Sequence, residues 1–148
     1  MRRWSFVLIG MIAAVSLAMS ACGGGNEVKV EQAASGKVDC SGSGIAVDQL
    51  KLPADFPQPG ELTITEATTA GPSQVLNGYW TADLQETYDE WHQQLDGAGY
   101  SVLFDEIEDE DAEISYKSAD ASSTGQIALR SDCQQADTTD VHITNRPE

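Results

Sequence analysis

Residues 83–100 read DLQETYDEWHQQLDGAGY, and this stretch decides the fold. Leu84, Tyr88, Trp91 and Leu95 recur at spacings of four, three and four. That period places them on one stripe of an α-helix. Asp83 precedes the stripe as an N-cap, with Glu86 three residues on, as in a capping box. Gly97 and Gly99 end the helix, because glycine readily takes the left-handed backbone that closes a C-terminus. Asp89, Glu90, Gln93 and Gln94 fall on the watered side. A helix apolar along one stripe needs a surface to lie on, and the flanking sequence supplies it.

Upstream, ELTITEATT (61–69) alternates, with Leu62 and Ile64 on one face and Thr63 and Thr65 on the other. AGPS (70–73) is a turn, and QVLNGYWT (74–81) returns as the second strand of a hairpin. Asn77-Gly78 interrupts that strand, as a bulge or a second turn. Downstream, strands are expected at 100–107, 112–117, 126–130 and 139–145. Ile114 and Tyr116, Ile127 and Leu129, and Val141 and Ile143 each alternate with outward residues. Short polar connections suit an antiparallel meander. The fold class is therefore α+β: an antiparallel sheet of five to six strands with one amphipathic helix packed on one face, in the order β-β-α-β-β-β-β. LPADFPQPG (52–60) holds three prolines and reads as an extended, polyproline-like entry, with Phe56 tucked under the domain.

The first 21 residues read as an address. Arg2 and Arg3 precede a fourteen-residue apolar run, FVLIGMIAAVSLAM (6–19), and small residues follow it. Fourteen is short of the roughly 20 that span a bilayer, so the run reads as the core of a signal peptide. Met19-Ser20-Ala21-Cys22 resembles the lipobox of bacterial lipoproteins, with methionine where leucine is more usual. The resemblance implies cleavage before Cys22 and lipidation of its thiol. One acyl chain anchors only marginally, and the two or three that this class carries anchor stably. Gly23 stands where many inner-membrane-retained lipoproteins have aspartate. The implied place is the cell envelope, on the outer membrane or the outer face of the plasma membrane.

The expected organisation is a signal peptide at 1–21, a lipidated cysteine and flexible tether at 22–38, and a single domain at 39–148. The tether, GGGNEVKVEQAASGKV (23–38), would hold the domain roughly 20–25 Å from its anchor. The whole chain carries a formal charge of −16. Loss of Arg2 and Arg3 leaves six basic against 24 acidic residues, a formal −18. Such a chain repels nucleic acid and attracts cationic proteins or peptides. With Cys22 acylated, the remaining cysteines, Cys40 and Cys133, have each other to pair with in an oxidising compartment. No C-x-x-C spacing suggests a redox pair. The bridge is read as structural.

Motifs for chemistry are sparse. His92 falls at the edge of the helix stripe, and His142, between Val141 and Ile143, faces outward. Neither has metal-ligand spacing, and no G-x-S-x-G occurs. DEIEDEDAE (105–113) puts seven carboxylates in nine residues but lacks the glycine and spacing of an EF-hand loop. DASSTGQIALRS (120–131) matches the early positions of such a loop but ends in Ser131 instead of glutamate. It reads as a hairpin turn with Gly125 supplying positive φ. Tyr79, Trp80, Trp91 and Tyr100 are expected around the helix, with Tyr79 or Trp80 exposed as an aromatic contact.

The proline-rich entry, the Tyr–Trp–Leu helix ending in Gly97-Ala98-Gly99-Tyr100 and the polar strands together resemble small bacterial lipoproteins of uncharacterised activity. The resemblance spans most of the domain. The expectation is a membrane-anchored, non-enzymatic binding module without cofactor or metal. Its alternatives are an envelope enzyme with a dispersed site and a calcium-binding module.

Overall fold

A computed structural model describes residues 36–50 and 52–148. The signal segment, Cys22 and most of the tether lie outside the described residues. Six strands and one helix follow in chain order: β1 (Leu62–Ala70), β2 (Ser73–Trp80), α1 (Leu84–Gly97), β3 (Ser101–Ile107), β4 (Asp111–Lys117), β5 (Ser123–Arg130) and β6 (Thr139–Pro147). The element order is the expected one, and the fold is an antiparallel six-stranded sheet with one helix packed on it.

The spatial order is β1-β2-β6-β5-β4-β3. The chain leaves β2, crosses through α1 to the far edge, and returns strand by strand as a meander. The meander's last strand, β6, closes against β2. The β1–β2 hairpin turns in two residues. Gly71 takes φ +61° and Pro72 cannot follow it to positive φ, which matches the type II′ turn.

Both helix ends follow from sequence chemistry. The Asp83 carboxylate accepts the Glu86 backbone N–H at 2.8 Å. At the other end Gly99 takes φ +77°. Its N–H bonds to the Asp96 carbonyl and that of Tyr100 to the Leu95 carbonyl, each at 2.9 Å. These two bonds make a Schellman motif. Leu84, Trp91 and Leu95 are buried as expected, whereas Tyr88 is only half-buried. Thr87 joins the buried face and donates to the Thr139 hydroxyl, which in turn donates to the Ala82 carbonyl.

One sheet face is the core, formed by Leu76, Trp80, Ala112, Ile114, Tyr116, Ile127, Leu129, Val141 and Ile143. A helix about 10 Å across covers two or three strands spaced about 4.8 Å apart. Accordingly α1 packs on β3, β4 and β5. The proline-rich segment covers the rest. It is not uniformly extended: the Phe56 N–H bonds to the Pro53 carbonyl at 3.0 Å, closing a turn before Pro57. That turn drives Phe56 into the core against Trp91, Tyr100 and Tyr116.

The opposite face is polar, and a strap crosses one end of it. Val38 pairs in parallel with Cys133, Cys40 is disulfide-bonded to Cys133, and the Ile45 N–H reaches the Ile64 carbonyl at 2.7 Å.

Two glycines act otherwise than their sequence context suggests. The irregularity near Asn77-Gly78 lies in the partner strand, where Thr65 is the extra residue between Ile64 and Glu66. Gly78 stays in β2, and a Cβ there would meet the Thr63 carbonyl at 2.2 Å. Gly125 supplies no positive φ. It lies within β5, and Ala121 takes φ +59° in the turn instead.

Candidate functional site

Among the described residues β3 is an edge strand of the sheet with no strand on its outer side. Its sequence, SVLFDEI, has three consecutive apolar residues, which strict alternation cannot bury on one face. The strand resolves this with a bulge: Val102 pairs with Tyr116 and Phe104 with Ser115, leaving Leu103 as the extra residue. Val102 turns to the core side, while Leu103 is 60 % exposed and Phe104 50 % exposed. Ile107 is also exposed, at the strand's end.

Carboxylates surround these side chains. Glu106 stands directly opposite Glu113, a like-charge pair across the ladder that destabilises the hairpin. Gln126 donates to Glu113 at 2.9 Å. The rest of the acidic run is an exposed turn, closed by the Glu108 N–H on the Asp111 carbonyl at 2.8 Å. Among the described residues the one ion-pair contact is His92–Asp105, so no lysine or arginine there neutralises a carboxylate directly. Among the described residues no group of three or more His, Cys, Asp and Glu is arranged to hold a metal ion.

Asp105 faces the helix side of β3. The Tyr88 hydroxyl donates to its Oδ2, and His92 Nε2 lies 3.4 Å from the same oxygen. The Tyr88 and His92 rings pack at a tilt of 56°, with centroids 4.6 Å apart. Burial and then the Asp105 carboxylate push the Tyr88 phenol up to about 12. The arrangement is a phenol hydrogen-bonded to a carboxylate, with an imidazole nitrogen close to the same oxygen but not hydrogen-bonded to it. No serine bonds to it, and it lies away from the apolar cavity beneath the proline-rich segment.

The other residues singled out in the sequence are dispersed. Cys22 lies outside the described residues. Cys40 and Cys133 form the disulfide, with Cα atoms 5.4 Å apart. His142 is exposed on the polar face and shares a hydrogen bond with Asn77, which donates to Glu66 at 3.0 Å. Tyr79 is on that same face, not around the helix. It is half-buried, and its hydroxyl donates to the Gly42 carbonyl of the strap at 3.2 Å. Trp80 is in the core against Trp91. Asp120 accepts from the Ser118 hydroxyl and the Ser122 N–H within the turn. Its carboxyl is held below the usual range by the Ser122 side chain, then the Ser122 N–H and the Ser118 hydroxyl. Asp140 is shifted up by desolvation and by Asp132, against the pull of Arg130 opposite it.

No family model, no curated protein and no solved structure matches this chain.

Sequence reasoning passed over Leu103 and Phe104. The signal was the Val102-Leu103-Phe104 run, which marks a bulge in an otherwise alternating strand. The Tyr88–His92–Asp105 grouping had no local signal, because it joins α1 to β3 across the packing interface.

Proposed function

We propose that this protein is a lipid-anchored envelope lipoprotein whose domain is a non-enzymatic binding module. In this reading Cys22 carries the lipid, 23–38 is the tether, and the outer edge of β3 docks a cationic protein or peptide segment. The observation that carries the docking surface is Leu103 and Phe104, exposed on a strand edge that no described strand pairs with. An extended segment adds to such an edge through main-chain hydrogen bonds, and its side chains set specificity. Basic residues alternating with apolar ones complement the site. The apolar ones cover Leu103 and Phe104, and the basic ones relieve the Glu106–Glu113 repulsion.

The test is calorimetry with a synthetic peptide of alternating lysine and leucine, using wild type and Phe104→Ser. Binding is expected to weaken at least tenfold on substitution and to fall steeply as salt shortens the screening length from about 10 Å at 0.1 M to about 3 Å at 1 M. Salt-insensitive binding, or binding indifferent to Phe104, overturns the docking surface. The anchor has its own test. Mass spectrometry of the membrane fraction is expected to find Cys22 as a lipid-modified N-terminus, and a soluble, unmodified mature chain refutes it.

A second reading, an envelope enzyme, is favoured only by the proximity of Tyr88, His92 and Asp105. Hydrolysis of an activated ester that disappears in His92→Ala would favour it over the binding module.

A further inference from the structure

We infer that the cavity between the proline-rich segment and strands β1, β2 and β6 is a binding site for a neutral hydrocarbon group, such as a medium-length alkyl chain. The cavity measures about 240 Å³, and Leu52, Phe56, Pro59, Leu62, Leu76 and Ile143 are among the residues that line it. Among the described residues no charged side chain lines it, and Gln58 supplies the one polar side chain.

The cavity has a structural cause. Helix α1 packs chiefly on β3, β4 and β5 and reaches β2 and β6 at Trp80 and Thr139, so the rest of the core face of β1, β2 and β6 is left to irregular chain. That cover is pinned at both ends: the Ile45 N–H bonds to the Ile64 carbonyl and the Leu62 N–H to the Pro59 carbonyl. Its one large aromatic, Phe56, is committed to the cluster with Trp91, Tyr100 and Tyr116. Pro57 and Pro59 fix φ, which limits how far the wall can collapse onto the sheet. A wall pinned at its ends and stiff between them stands off from the strands.

The lining selects the ligand. An apolar cavity of about 150 Å³ already stays dry and takes up benzene, so this larger one suits a longer or bulkier hydrocarbon. A bare charge inside would lose its hydration without a partner. The group that enters is therefore neutral, and an anionic head at the mouth would be repelled by a chain of formal charge −16. The site lies on the core face of the sheet, whereas Phe104 pairs with Ser115 on the polar face. The cavity is therefore independent of the β3 docking surface.

The test uses the neutral dye N-phenyl-1-naphthylamine with the mature chain, residues 22–148 carrying Cys22→Ser, so that neither the apolar signal segment nor an attached lipid takes up the dye. Saturable one-to-one fluorescence enhancement, displaced by decanol, is expected. Leu52→Trp is expected to weaken dye binding at least tenfold, with circular dichroism checking the fold. Leu62→Phe, at a second half-buried wall position, is expected to do the same if Leu52→Trp fails to fold. Phe104→Ser is expected to leave dye binding unchanged. Non-saturable uptake, wild-type affinity in a folded cavity-filling variant, or loss of binding in Phe104→Ser overturns the assignment.

Discussion

Tyr116 occupies the space that a side chain on Gly125 would need. The two residues are direct partners across β4 and β5, and a Cβ built on Gly125 would lie 2.3 Å from the Tyr116 hydroxyl oxygen. It would also lie 2.3 Å from the Thr144 carbonyl oxygen. The Tyr116 ring thus passes over Gly125 and donates its hydroxyl to Asn145 Oδ1 at 3.1 Å. The glycine is required for close packing in the middle of the sheet, not for a turn.

Gly125→Ala is therefore expected to destabilise the domain by about 1–3 kcal/mol, the usual cost of overpacking a closed core. Chemical denaturation reads it. A change below about 0.5 kcal/mol, the range of ordinary surface substitutions, would mean the ring moves aside freely.

The helix ends give a second, smaller pair of effects. Asp83→Ala removes the acceptor for the Glu86 N–H and is expected to cost about 1 kcal/mol. Gly99→Ala forces a Cβ onto φ +77° and is expected to cost about 1 kcal/mol as well, although Ala119 Cβ leaves room at 3.5 Å. The sites are far apart in the helix, so the double variant should show additive losses in the same denaturation assay.

The Cys40–Cys133 bridge spans 93 residues of sequence and ties the strap to the end of β5. In the chain-entropy model, closing a loop of that size limits the unfolded chain by about 4–5 kcal/mol. Unfolding with and without reductant, and in the double serine variant, is expected to show a loss of up to that size. A loss under about 1 kcal/mol would mean that the reduced, unfolded chain is already constrained.

Alkaline pH tests the tyrosines. Tyr88 and Tyr100 are pushed up to about 12 from an ordinary 10.0, in both cases chiefly by burial and then by a neighbouring carboxylate, Asp105 or Asp55. Burial pushes Tyr116 up as well. Between pH 10 and 12 the unfolded chain releases phenol protons that the folded domain keeps. Stability contributed by these groups is thus full below their unfolded value and is lost as pH rises through the folded one. Titration of phenolate absorbance is expected to lag behind that of the denatured chain, and Tyr88→Phe is expected to flatten the alkaline loss of stability. Coincident titrations of native and denatured protein would contradict the packing around Tyr88 and Tyr100.

The helix and most of the strands were legible because they rest on a local period: Leu84 to Leu95 at helical spacing, and Leu62–Ile64, Ile114–Tyr116, Ile127–Leu129 and Val141–Ile143 at strand spacing. The disulfide was legible once the lipobox resemblance set Cys22 aside. The insertion of β6 between β2 and β5 was not, because pairing between distant strands leaves no mark in either one alone. Gly125 misled for the same reason, since its cause is Tyr116 across the sheet. Of the β3 edge, the carboxylates were visible in DEIEDEDAE, but the exposure of Leu103 and Phe104 depends on a bulge and on β3 ending up at the sheet's margin.

The most direct measurement is amide chemical-shift mapping of the domain as the lysine–leucine peptide is added. Perturbations are expected to concentrate along β3, from Val102 to Ile107, and at its partner Glu113, with β1 and the strap unmoved. Perturbations centred elsewhere, or none at saturating peptide, would contradict the edge of β3 as the binding surface.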